Sequence, residues 1–181
     1  MIMTTEELRR YMVTDEEDSA LEARLSALEL LIRAYTNNNF QQRAIRKLAD
    51  MEMGFIRIGV PHLFKAGDTV QATHSELNAG LLTVTETTDT TLTVKEPIYE
   101  EEDVYITKVV YPMDVKMGVV NLMKWEDGNR DKVGVQSESI SRHSVTYYNM
   151  DDGNTVMGYP KSLMGFLKPY MKARFGQGVR V

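Results

Sequence analysis

The chain has 181 residues, 43% hydrophobic and 26% charged, enough for one ordinary domain or for a small domain carrying an inserted one. It contains no cysteine, which excludes a disulfide framework and any thiolate metal site. A formal net charge of −5 argues against general affinity for nucleic acid or an anionic membrane.

The opening Met1-Ile2-Met3-Thr4-Thr5-Glu6-Glu7 lacks the basic and then apolar stretch of a secretory signal. No run approaches the ~18 apolar residues of a membrane span, so a soluble protein made in a cytoplasm is expected. Thr4 with Glu7 has capping-box spacing and predicts a short helix to about Met12. Thr14 with Glu17 predicts a second, stronger helix from Asp15 to Tyr35. On it Leu21, Leu25, Leu28, Ile32 and Tyr35 recur at steps of three and four, one apolar stripe. Asn37-Asn38-Asn39 ends it, because asparagine tolerates left-handed geometry.

Residues 40–53 fit either state: Ala44, Ile45, Leu48 and Ala49 have helical spacing, while Arg43 and Arg46 around Ile45 allow an extended segment. From Gly54 to Val110 the period becomes two. Phe55–Ile58, Thr69–Ala72, Leu81–Thr85, Thr91–Val94 and Val104–Val109 read as five short strands, separated by the turns at 65–68, 78–80 and 87–89. Strands this short and this threonine-rich suggest a small barrel or curled sheet. After Tyr111 helical spacing returns, with Pro112 in the first turn, Val115, Val119, Leu122 and Met123 on one stripe, and Gly128 as the stop. Val133–Tyr148 reads as a hairpin and Asp151–Asn154 as a turn. A last helical element begins near Pro160, where Pro169 imposes a kink or a break into two short helices.

The expected fold class is therefore α+β: a small helical bundle with a C-terminal β-hairpin and helix, carrying an inserted β-barrel-like region. Residues 1–50 and 111–181 form the helical core, and 54–110 the insertion. Charge is uneven along it. Acids cluster at 15–18 and 100–103, whereas from Asn154 onward there is no acid but Lys161, Lys168, Lys172, Arg174 and Arg180. A basic end suits an acidic partner or a solvated cationic face equally well.

No catalytic constellation is legible: there is no phosphate-cradling glycine loop, no Gly-x-Ser-x-Gly elbow and no His-Glu-x-x-His pair. His62, His74 and His143 are scattered at strand or loop positions, so surface or hydrogen-bonded roles are expected rather than a metal site. Glu100–Asp103 lacks the spaced oxygens and central glycine of a calcium loop and reads as an exposed turn. Twelve methionines, several in the C-terminal half, suit gap-filling in a core better than a contact surface. No enzyme and no cofactor are expected.

Two stretches nevertheless carry a family signature. One is Leu25-Ser26-Ala27-Leu28-Glu29-Leu30-Leu31-Ile32-Arg33-Ala34-Tyr35-Thr36-Asn37-Asn38-Asn39-Phe40. The other is Ser139–Tyr147 followed by Gly158-Tyr159-Pro160-Lys161-Ser162-Leu163 and Leu167-Lys168-Pro169-Tyr170-Met171-Lys172-Ala173-Arg174-Phe175. They resemble the head–tail connector (adaptor) proteins of tailed bacteriophages. With its β insertion and the run Asp114-Val115-Lys116-Met117-Gly118, the middle is similar to versions from siphophages of low-GC Gram-positive hosts.

The resemblance implies a structural protein of the virion neck, assembled in the host cytoplasm. It would form a ring under the twelvefold portal and extend the DNA channel, which double-stranded DNA crosses without specific binding. Partners would be the portal, a stopper or tail-completion protein and other copies of the chain, a monomer before docking being compatible; no membrane is involved. The portal-docking segment would hold Tyr159, Lys161, Phe166, Lys168, Tyr170, Lys172, Arg174 and Phe175, and the ring-interface helix Leu21, Leu25, Leu28, Ile32 and Tyr35. The alternatives are a stopper or tail-completion protein, usually mainly β, and a small β-barrel nucleic-acid-binding module.

Overall fold

The computed structural model describes residues 1–129, 137–140, 143–146 and 153–173. It contains a closed six-stranded antiparallel barrel and three short helices, and is richer in strand than in helix. This corrects the expected helical bundle with its C-terminal hairpin. The physical reason lies in residues 40–53, whose ambiguous spacing resolves as β1 (Gln41–Glu52), the longest strand among the described residues.

The barrel comprises β1, β2 (Phe55–Arg57), β3 (Thr69–Thr73), β4 (Gly80–Thr87), β5 (Thr91–Val94) and β6 (Glu101–Val109), in the closed order β1-β2-β5-β4-β3-β6. β1 closes it by pairing with β2 on one side and β6 on the other. Between the pairs Gln41↔Val109 and Arg46↔Thr107, β1 spends residues 42–45 against Lys108 alone. That bulge interrupts the pairing before Arg46, and of the four apolar residues with helical spacing Ala44 and Leu48 face water while Ile45 and Ala49 face the core. Beyond it Ala49 and Met51 point inward beside Ile56, Val70, Leu92, Val104 and Ile106, a core almost wholly shielded from water. Closure leaves no free edge in this sheet.

The chain divides into two compact units, one of Met1 with Asn39–Tyr111 and the other of Ile2–Asn38 with Pro112–Val181. The second holds α1 (Thr5–Arg9), α2 (Asp18–Thr36) and α3 (Met113–Asn129). Thr4 caps α1, its hydroxyl accepting from the Glu7 amide at 3.1 Å. α2 starts later than expected. Glu17 is its N-cap without a side-chain bond, and the Thr14 hydroxyl accepts from the Glu16 amide instead. Asn37 closes α2 in the left-handed conformation, its amide bonding Arg33 O. The other elements are the ribbon β7 (Ser137–Ile140) with β8 (His143–Thr146), the ribbon β9 (Thr155–Val156) with β10 (Tyr159–Pro160), and a 3-10 helix, Gly165–Tyr170. Pro169 inside that last element explains why it is a 3-10 turn rather than an α-helix. The 3-10 helix packs against both α2 and α3 and bridges them. Tyr147, Tyr148, Asp151 and Asp152 lie outside the described residues.

Candidate functional site

The expected ring-interface helix has two contrasting faces. Leu21, Leu25, Leu28 and Ile32 are buried in the core of their own unit, and Tyr35 is half-buried. The opposite face carries Ser19, Ala20, Ala23, Ser26, Ala27, Leu30 and Ala34, all exposed, Leu30 by 63%. Between 19 and 34 no exposed position of α2 is charged, because Glu22, Arg24 and Arg33 are half-buried and Glu29 is buried. An ordinary surface helix puts its charges outward. Here Ala20, Ala23, Ala27, Leu30 and Ala34 recur at alternating steps of three and four, the spacing of a seam that receives another helix. The stripe is about 22 Å long at 1.5 Å per residue.

The C-terminal segment lies against the end of this helix. Lys172 N donates to Thr36 O at 2.8 Å, Asn37 Nδ2 to Ala173 O at 3.0 Å and Asn38 Nδ2 to Tyr170 O at 3.1 Å. Tyr170 Oη donates to both oxygens of Asp114 at 2.8 Å, and that bond raises the phenol's pKa, so the hydroxyl stays protonated. Phe166 is half-buried and lies over Gly118 of α3, where a Cβ would come within 2.4 Å of its ring. Tyr159 is buried edge-on to Trp125, its hydroxyl bonded to Glu126. Of the residues expected to dock a partner, Lys161, Lys168 and Lys172 are exposed. Tyr159 and Phe166 are engaged internally, and Arg174 and Phe175 lie outside the described residues. Lys161 Nζ is folded back on Gly153 O at 2.6 Å.

One guanidinium ties α2 to α3. Arg24 meets Glu16 at 2.5 Å, and Glu126 and Asp127 each at 2.8 Å. Its side chain is only 13% exposed, so three carboxylates converge on one shielded cation. Spacing alone gave no sign of this: its partners are local at Glu16 and a hundred residues away at Glu126 and Asp127.

On the barrel the acidic run 100–103 acquires a structural role. The Glu101 carboxylate accepts from Ser75 Oγ at 2.6 Å, Glu76 N at 2.6 Å, Leu77 N at 3.4 Å and Asn78 Nδ2 at 2.8 Å. The Ser75 hydroxyl bond, assisted by the amides, lowers its pKa to about 2. A carboxyl so strongly held as the anion is the opposite of a general acid. It pins the loop between β3 and β4. The sign follows: a depressed folded pKa gives stability present above the ordinary value of 4.5 and lost as pH falls through about 2. Glu101→Gln sets an amide donor against those donors. It is expected to flatten the barrel's acid unfolding profile between those limits; an unchanged acid slope would contradict the assignment.

An open groove of about 590 Å³ beside this end of the barrel is lined by Asp50, Glu52, Arg57 and Glu100–Glu102. Arg57 bonds Asp50 at 3.4 Å and Glu52 at 2.8 Å. His62 lies in the loop after β2 with its ring on Phe64, 5.5 Å between centroids, and His74 is edge-on to Tyr105. Among the described residues no three histidines or carboxylates gather as a metal site, and no helix is long and apolar enough to cross a membrane.

No family model matches the chain, and no curated protein matches it.

Proposed function

We propose that the chain is a head–tail connector of a tailed bacteriophage, a structural protein repeated as a ring beneath the portal. The observation that carries this reading is the two-faced helix α2, apolar towards its own core and uncharged outward along a heptad-spaced stripe. Such a face lacks the charges of an ordinary solvated helix and suits a neighbour in an assembly. A single helix stripe is small for a stable dimer, but many identical contacts closing around an axis hold where one does not. The two stretches that resemble connectors, far apart in sequence, are joined by the Thr36–Lys172, Asn37–Ala173 and Asn38–Tyr170 bonds. The exposed Lys161, Lys168 and Lys172 offer cations to an acidic portal surface.

A second reading, the stopper or tail-completion protein of the same neck, is favoured by one feature, the dominant closed barrel. Co-sedimentation with portal rings from the same genome separates the two. A connector binds the bare portal, whereas a stopper binds only once a connector is in place. Ala27→Arg, at the centre of the exposed stripe, is expected to leave the fold intact and to abolish retention on the portal. Retention equal to wild type would remove the helix from the account.

A further inference from the structure

We propose that the outer face of the barrel is a contact between copies of this chain, the anionic end of one barrel meeting the cationic strip of the next. The inference rests on the ring reading above and gives the barrel a part in it. β1 and β6 share an outward face on which charge is sorted by position. At one end Arg43 is exposed on the bulge, and Arg46 donates to Thr107 Oγ1 at 2.8 Å and to Gln41 Oε1 at 3.3 Å. Neither arginine has a carboxylate partner among the described residues. Four residues further along β1, about 13 Å at 3.3 Å per residue, Asp50 accepts from the Asp103 amide at 3.3 Å. Glu100, Glu102 and Asp103 are exposed there, and the cation beside them, Arg57, is paired with Asp50 and Glu52.

Between the two ends stand Leu48 and Tyr105, cross-strand neighbours that are 47% and 37% exposed. The Arg46 guanidinium lies 5.8 Å from the Tyr105 ring centroid. Apolar centre, cationic strip and anionic end form the arrangement of an interface with complementary charge. The two charged patches differ, so their pairing is head-to-tail, the type that closes into rings. A nucleic acid fits this face poorly, because its phosphates would meet the acidic end. A second copy presents each patch with its opposite.

Sedimentation velocity on the full chain tests this. Raising ionic strength from about 0.01 M to about 1 M shortens the screening length from about 30 Å to about 3 Å and is expected to weaken self-association steeply. Two charge variants sharpen the test: Arg43→Glu with Arg46→Glu removes the cationic strip, and Glu100→Lys with Glu102→Lys removes most of the negative charge of the acidic end. Each alone is expected to associate about tenfold more weakly than wild type at low salt. An equimolar mixture of the two regains or exceeds wild-type association, which also shows that both are folded. A wild-type chain that stays monomeric throughout, or a mixture no tighter than either variant alone, overturns the contact. Portal binding, measured on the same samples, scores the neck reading separately. A chain that binds portals without charge-dependent pairing overturns the barrel contact only.

Discussion

Replacing Gly118 by valine is expected to destabilise the helical unit by about 2–3 kcal/mol, read as a lowered midpoint in denaturant unfolding. A glycine in the interior of α3 ordinarily weakens a helix by about 1 kcal/mol against alanine. Its retention is explained by Phe166, whose ring occupies the space where a side chain would stand. Any Cβ there forces the ring outward, and with it the 3-10 helix that bridges α2 and α3. Gly118→Ala is the milder case, since helix propensity offsets part of the clash. Pairing Gly118→Ala with Phe166→Leu is expected to recover most of the loss, because the smaller side chain yields the volume. If Gly118→Val were as stable as wild type, Phe166 would not be seated on α3.

Arg24→Leu is the second large effect, an expected loss of about 3 kcal/mol. Removal of the guanidinium leaves Glu16, Glu126 and Asp127 facing one another with no cation between them. Those carboxylates are 24% to 38% exposed, which holds the cost below that of a fully buried trio. Thermal unfolding of the variant beside wild type reads the loss, and an unchanged midpoint would mean that the three carboxylates need no cation between them.

The parts of the fold legible in the sequence were those that obey one period throughout. α2 and α3 keep their apolar stripes, and β2 to β6 lie within a few residues of the expected strands, β5 on the same residues. Over the central part of each strand the side chains alternate between core and water. β1 resisted because a bulge before Arg46 interrupts its pairing, and because Ile45 and Ala49, which share the core face of the strand, are also spaced as on one face of a helix. Mistaking that strand turned a barrel-dominated chain into an expected helical bundle. The last element misled for a related reason. Leu163, Phe166, Leu167 and Tyr170 have helical spacing, but Pro169 and the bridging of two helices tighten the segment into a 3-10 turn.

The candidate site was legible only in part. The inward stripe of α2 stands out in sequence because leucine and isoleucine mark it. The outward stripe is mostly alanine and serine, residues equally at home on a solvated helix. Its meaning depends on where Glu22, Arg24, Glu29 and Arg33 point, which only packing decides. Glu101 was hidden inside an acidic run that looked uniform, since the donors that single it out come from the loop at 75–78. The resemblance implied that Tyr159 and Phe166 belong to a portal-docking segment, yet both have partners within their own unit.

Electron microscopy of the chain mixed with portal rings from the same genome addresses the central claim most directly. The expected image is an added ring of density on the tail-facing side of the portal, one copy per portal subunit, with the outward stripe of α2 turned to a neighbour. Bare portals beside free chain, or added density in which that helix face looks out on solvent, would contradict it.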